Sequence, residues 1–180
     1  MIPFAIWFQN TPLNVFLRDS PYAFPIILTL HVTFISLFGA MIFATDFRLL
    51  GWGLTKHKVS DIVDQLRWPK RIGFLCVVTC CVLVLGTKAE EYFYNPFFKL
   101  KVALLGLVLV HALVFRTSVY NRAAELDGLA ELPARAKWAG GISLLLWTSI
   151  ACAGRSIGYI NPPAGSHHFV MLLLPALRAI

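Results

Sequence analysis

Charge is scarce in this 180-residue chain, where Asp, Glu, Lys and Arg make up 14% of residues and hydrophobic types 58%. A soluble domain carries about 25% charged residues. The charges lie between long apolar runs, which argues against an ordinary soluble domain and predicts an all-α integral membrane protein. Acidic residues are scarcer still, with nine against sixteen Lys and Arg. Because the basic residues flank apolar runs, we expect them to set topology and meet anionic lipid, with no nucleic acid as partner.

Recognisable catalytic patterns are also missing. The chain has no P-loop, nucleophile elbow, carboxylate dyad or Gly-rich dinucleotide fingerprint, so hydrolysis and phosphoryl transfer are set aside. At most, we expect an electron-transfer component. No C-x-x-C spacing occurs, which leaves zinc and dithiol motifs unsupported. The four cysteines lie in apolar runs and are expected to pack as small apolar side chains: Cys76, Cys80, Cys81 and Cys152.

Four runs are long enough to approach the ~20 helical residues that cross a bilayer. They predict an up-and-down four-transmembrane-helix bundle within a single membrane domain, 1–180. Two further segments, 2–18 and 169–177, are short and interrupted by proline. We expect these terminal segments to lie at the membrane interface. No basic leader or cleavage site precedes the first run, so insertion is expected through the first span itself. The predicted spans are 24–44, 72–87, 97–115 and 138–158.

The basic residues are divided unequally between the two ends of these spans. Ten lie in the connections 46–71 and 116–137, and six lie on the opposite side. Positive residues concentrate on the cytoplasmic side of membrane proteins. The first and third connections are therefore predicted to be cytoplasmic, and both termini to lie outside.

Two histidines, His31 and His111, lie inside predicted spans. Ionisable residues at this depth are costly and are functional candidates by default. Histidine ligates haem iron, so one hypothesis is a haem b held by both. The two spans run in the same direction, with His31 before the middle of its span and His111 beyond the middle of its own. This offset separates them by roughly 10 Å along the membrane normal. The alternative is that each hydrogen-bonds a facing hydroxyl or backbone carbonyl.

His31 has better-matched neighbours near the outer face. Lys101 is early in the third span, and Arg155 and Tyr159 are late in the fourth. A histidine with Arg and Lys at this level suits haem propionates, a quinone headgroup or another anionic ligand. The outer pair His167–His168 is a candidate site for copper or another divalent ion. The Asp46–Arg48 pair is most simply a helix-end anchor.

Five motifs follow one another along the chain: WFQNTPL (7–13), LHV (30–32), DFRLLG (46–51), NPFFKLK (95–101) and GRSIGY (154–159). Together they resemble an uncharacterised bacterial family of four-span inner-membrane proteins, classed as a domain of unknown function. The resemblance implies the four-helix architecture in the inner (cytoplasmic) membrane, with both termini periplasmic on the charge argument. It implies no established activity. In layout the family is similar to the membrane domain of copper-resistance D proteins and to small b-type cytochromes, which implies a ligand role for His31.

Three functional hypotheses follow. The first is a membrane redox subunit that binds haem b or interacts with quinone near the outer face and exchanges electrons with a membrane or periplasmic protein partner. The second is a non-catalytic accessory subunit of a larger membrane complex. The third is handling of copper or another metal, for which the candidate ligands are His31, His111, His167 and His168.

Overall fold

The computed structural model describes residues 2–129 and 131–159, and this part of the chain is helical without a β-strand. Two short helices precede the first long one, and a third short helix separates the second and third long ones. A 3₁₀-helical segment, η1, follows the third. The elements are α1 (Ile2–Gln9), α2 (Pro12–Asp19), α3 (Ala23–Leu50), α4 (Val59–Thr87), α5 (Ala89–Tyr94), α6 (Pro96–Ser118), η1 (Tyr120–Leu126) and α7 (Ala134–Ile157).

Three of the long helices, α3, α4 and α6, are long and apolar enough to cross a membrane. Much of their apolar surface is exposed, as expected for helices in contact with lipid. The prediction of an all-α membrane protein is therefore confirmed. The fourth long helix, α7, has 24 residues, but its glycines and hydroxyl side chains make it less apolar. The structure thus supports three candidate spans, and the fourth stays a prediction. Exposed apolar residues include Val32, Leu75, Leu109, Leu113 and Val114.

The long helices extend beyond the apolar runs that predicted them. α3 continues to Leu50 and ends at Gly51, whose φ of +76° is the left-handed conformation that commonly terminates helices. α4 begins at Val59 and runs without a break through Pro69, so it starts well before residue 72, where the second span was predicted to begin. Proline removes one backbone hydrogen bond, but packing on both sides of it maintains the helix. The predicted interfacial segment 2–18 forms α1 and α2, whereas 169–177 lies outside the described residues.

The four long helices are arranged with α3 between α4 and α7, and α6 on the far side of α7. Successive helices are antiparallel: Cys81 of α4 meets His31 near the start of α3, and Gly140 of α7 meets Asp46 near its end. Within the described ranges, α4 and α6 make no extensive contact with each other. We call this side of the bundle, where the two helices are not packed against each other, the α4–α6 gap. η1 packs against both helices at one end, and α5 joins them at the other. These are named the η1 end and the α5 end.

The best-packed part of the bundle is the η1 end. Gly140 allows α7 to approach α3 so closely that a Cβ atom there would lie 2.8 Å from the backbone oxygen of Asp46 and 3.2 Å from Leu49 Cβ. Small residues at such crossings let membrane helices pack backbone to backbone. The close approach is made at Gly140 and not at the neighbouring Gly141, where a Cβ atom would have ordinary contact distances. The buried apolar cluster around it comprises Leu49, Val59, Val63, Val119, Ala123, Leu126, Ala136 and Ala139.

The α5 end is held by polar contacts from the two N-terminal helices. Gln9 of α1 accepts a hydrogen bond from the backbone N–H of Glu90 at 3.1 Å. The buried side chain of Asn14 in α2 donates to the Phe8 carbonyl at 2.8 Å and rests on Gly86 of α4. The N-terminal helices therefore cover the end of α4 and steady α5 beside it.

Candidate functional site

His31 lies in α3 near the α5 end, with 9% of its surface exposed. Its Nε2 is 3.8 Å from Cys81 Sγ, and its Nδ1 is buried without a hydrogen-bond partner among the described atoms. The sequence offered three nearby hydroxyls as partners, but each donates to a carbonyl four residues back in α3 itself: Thr29, Thr33 and Ser36. Buried polar atoms are usually paired. His31 therefore retains an unused hydrogen-bonding position.

Lys101 of α6 reaches the same place from the other side of the bundle. Its Nζ lies 3.9 Å from Cys81 Sγ and 3.7 Å from where a Cβ on Gly154 of α7 would be. His31, Cys81 and Lys101 thus form one group, which we call the histidine–lysine cluster. It is built from α3, α4 and α6 and lies at the α4–α6 gap. The predicted association of His31 with Lys101 is present in the structure.

Arg155 and Tyr159 pair with each other at the same end of the bundle. The Arg155 guanidinium donates to the Tyr159 hydroxyl at 2.9 Å and lies 5.0 Å from the centre of its ring. Both side chains are exposed. Arg155 follows Gly154, against which Lys101 rests, so the pair is adjacent in sequence to the histidine–lysine cluster without being part of its contacts.

His111 is used elsewhere. Its Nε2 is 3.0 Å from the Ala139 carbonyl oxygen of α7, and its ring is 4.8 Å from that of Phe115. Ala139 and Gly154, which mark the levels of the two histidines on α7, are separated by about 22 Å of helix at 1.5 Å per residue. Axial ligands of one iron must lie at the same level. His31 and His111 therefore do not supply a bis-histidine haem site.

The described residues contain no preformed metal site. No group of three or more His, Cys, Asp and Glu side chains there is placed to hold a metal ion. His31 and Cys81 offer one nitrogen and one sulfur, and Lys101 adds positive charge beside them. His167 and His168, the other predicted metal ligands, lie outside the described residues.

Asp46 was interpreted as part of a helix-end anchor, and this was wrong. Residues two apart on a helix point in different directions, and the structure separates the two side chains. Arg48 donates to the His57 carbonyl at 2.7 Å, whereas Asp46 is buried with 1% of its surface exposed. Its Oδ2 has no hydrogen-bond partner in the described structure. Ser143 of α7 and Lys70 of α4 interact electrostatically with its carboxyl group.

Outside the long helices, three groups have perturbed acidities. Burial, with a smaller contribution from Asp46, raises the pKa of the Tyr120 phenol well above its ordinary value. Burial and then the Glu91 charge raise the pKa of Tyr92. Asp127 is different, because its carboxylate accepts from the Ser60 hydroxyl and from the Ser60 backbone N–H at 3.0 Å. The hydroxyl hydrogen bond is the main cause of the lowered pKa of Asp127.

The sequence interpretation missed the surroundings of two residues. Cys81 was read as a small apolar side chain, yet it lies between His31 and Lys101. Its level was available from the sequence, since the second span runs antiparallel to the first and Cys81 is about as far from its end as His31 is from the start of its own. The burial of Asp46 was missed because the first predicted span, 24–44, ends before this residue. The buried carboxylate lies inside the helix and not beyond it.

The chain's relationship to known proteins is visible over most of its length. The model for a family of unknown function, DUF6644, matches residues 15–160. The chain belongs to this family. The predicted resemblance to an uncharacterised family is thereby confirmed, and the matched range contains both the histidine–lysine cluster and Asp46. No curated protein and no solved structure matches the chain.

Proposed function

We propose that this protein is a membrane electron-transfer component that binds a quinone headgroup at the histidine–lysine cluster. The observation that supports this best is the meeting of His31 and Lys101 at Cys81. They are two nitrogen groups with hydrogen-bonding capacity, and they lie between α4 and α6, which are not extensively packed against each other. A quinone dissolved in the bilayer would approach from this side.

The chemistry of the two side chains suits a quinone. Its carbonyl oxygens accept hydrogen bonds, and the Lys101 ammonium donates up to three. The neutral imidazole of His31 has one ring N–H donor and one ring nitrogen acceptor. A bound quinone can accept two electrons and two protons to become a quinol. The protein's part is to orient the headgroup, to place a fixed positive charge beside its oxygen and to donate a hydrogen bond from His31.

Haem b fits the described residues less well than a quinone. A six-coordinate haem needs a second axial ligand at the level of His31, and His111 is bound to Ala139 about 22 Å away along α7. The space beside His31 Nε2 is occupied by the Cys81 thiol. A quinone headgroup needs only hydrogen-bond donors, which His31 and Lys101 supply.

The test uses the full-length protein in nanodiscs with a short-chain ubiquinone analogue as probe. We expect saturable binding, and we expect both His31→Ala and Lys101→Met to weaken it at least tenfold. His111→Ala and Lys99→Met are the matched controls, because each changes the same residue type on a neighbouring turn or helix. Both controls should bind as the unaltered chain does. Equal binding by all five proteins would contradict the proposal.

The same preparation discriminates the other hypotheses. An absorption spectrum with a Soret band that His31→Ala abolishes would establish haem b instead. Stoichiometric copper in protein purified without a histidine tag would favour metal handling, for which His31 and Cys81 are the nitrogen–sulfur donors within reach of each other. A protein that binds neither probe and co-purifies with a stoichiometric membrane partner would be an accessory subunit.

The topology proposed with this function is four spans, with α7 as the fourth and both termini on the periplasmic side of a bacterial inner membrane. The charge distribution and the antiparallel packing of α7 against α3 and α6 support it. Single cysteines at exposed positions near each end, introduced into a chain without its native cysteines, would be labelled with an impermeant thiol reagent in intact cells. Labelling at Tyr22 and Tyr159 but not at Trp52 is expected.

A further inference from the structure

The cluster around Asp46 at the η1 end has no role in quinone binding, and it joins four elements of the fold. Asp46 comes from α3, Lys70 from α4, Ser143 from α7 and Tyr120 from η1. Asp46 interacts electrostatically with each of the other three. Of the five aspartates in the sequence, it is the one that is buried. A carboxyl group in such a place is costly unless its charge is compensated.

Compensation of Asp46 is incomplete in the structure. The Lys70 ammonium donates to the Thr45 hydroxyl and lies too far from the Asp46 carboxylate to form a direct ion pair, since the described salt bridges do not include them. The Thr45 hydroxyl in turn donates to the Met41 carbonyl at 3.2 Å. One carboxyl oxygen, Oδ2, is left buried without a partner. The Lys70 ammonium therefore lies near Asp46 but does not form a contact ion pair with its carboxylate.

We infer that Asp46 is a proton-exchange site, which takes up and releases a proton at the η1 end with Lys70 as its countercharge. In the ionised state the nearby ammonium stabilises the carboxylate. In the neutral state the proton occupies the oxygen that otherwise has no partner. Because Lys70 brings a positive charge into the cluster already, the site is unsuited to a metal cation, and a proton is the ligand that fits.

Proton access is available from the η1 end. Lys70 and Tyr120 are each partly exposed and interact electrostatically with the buried carboxyl group, so their polar atoms are the route by which we expect a proton to reach it. This site is fifteen residues along α3 from His31, or about 22 Å, so it is separate from the histidine–lysine cluster.

The experiment is infrared difference spectroscopy of the full-length protein in lipid, cycled between acidic and alkaline buffer. We expect a carboxylic C=O band at the high frequency of a buried acid, which appears on acidification. ¹³C-aspartate labelling of the unaltered chain must shift this band. Asp46→Asn must remove it, and the matched exposed variant Asp64→Asn must leave it intact. Labelling assigns the band to aspartate even if Asp46→Asn fails to fold.

Lys70→Met tests the countercharge. Removing a positive charge beside the carboxyl group favours its neutral form, so the band should persist to a pH at least one unit higher than in the unaltered chain. A spectrum without an aspartate C=O band at any pH would overturn the proposal, because Asp46 would then be a permanently ionised structural group. A band unaffected by Lys70→Met would overturn the role of Lys70. Neither readout depends on quinone binding.

Discussion

The two ends of the bundle solve the packing problem in opposite ways. At the η1 end the helices approach backbone to backbone at Gly140, and buried apolar side chains surround a single buried carboxyl group. At the α5 end the contacts are side-chain hydrogen bonds from short helices, and His31 and Lys101 lie beside Cys81 of α4. The difference teaches that apolar packing closes the η1 end, whereas polar contacts hold the α5 end together.

Gly140→Ala should have the largest effect of the substitutions that compare the two ends. A methyl group there would lie 2.8 Å from a backbone oxygen of α3, which cannot rotate away. Overpacking of this kind costs about 1–3 kcal/mol, so we expect a clear loss of thermal stability in detergent. The control is Gly106→Ala on α6, where no atom lies within 4 Å of the added methyl. Equal stability of the two variants would contradict the close crossing.

Asn95→Ala should follow in magnitude, at the α5 end. The Asn95 side chain accepts from the backbone N–H groups of Phe97 and Phe98 at 2.9 and 3.4 Å and donates to the Ile157 carbonyl at 3.3 Å. Loss of a helix N-cap costs about 1 kcal/mol, and here the link to α7 is lost as well. Thermal unfolding should show the decrease. Asn95→Asp, which keeps the acceptor and loses only the donor, should recover part of it.

Gly86→Ala should cost less, although its added methyl would overlap more severely. The atoms that it meets belong to the Asn14 side chain, with Oδ1 at 2.3 Å, and a side chain can turn aside. Turning aside breaks the hydrogen bond from Asn14 to the Phe8 carbonyl and loosens α2, at about 1 kcal/mol. Faster proteolysis of the 2–19 segment with an intact bundle is the expected readout. Asn14→Ala combined with Gly86→Ala should be no worse than Gly86→Ala alone.

The smallest expected effect is a loss of folded-state stability at acidic pH. Ser60 holds the pKa of Asp127 below its ordinary value, so Asp127 stabilises the folded state fully above that ordinary value. The stabilisation is lost as the pH falls through the lowered pKa. Since Asp127 is near the surface, we expect less than about 1 kcal/mol. Unfolding measured across the acidic range should show this loss in the unaltered chain. A chain carrying Asp127→Asn should lack that component of the pH dependence.

The sequence was a good guide to helices and a poorer one to their neighbours. Apolar runs predicted the long helices, because the bilayer demands continuous backbone hydrogen bonding whatever the packing. Depth counted along the spans placed His31 and His111 at different levels, but the predicted separation of roughly 10 Å is about half of the ~22 Å that the structure gives. The role of Cys81 depends on which helix faces α3, and the burial of Asp46 depends on α7 crossing at Gly140. Both are properties of three-dimensional packing, which a hydropathy pattern does not encode.

The order of the helices around the bundle has a consequence for biosynthesis. α3 and α4 are neighbours in sequence and in space, so they can pack as soon as both have left the ribosome. α6 emerges next, but its long-helix partner is α7, the last of the four to be made. Until α7 is made, α6 therefore lacks its long-helix partner, and Cys81 of α4 is the residue already in place that Lys101 can contact.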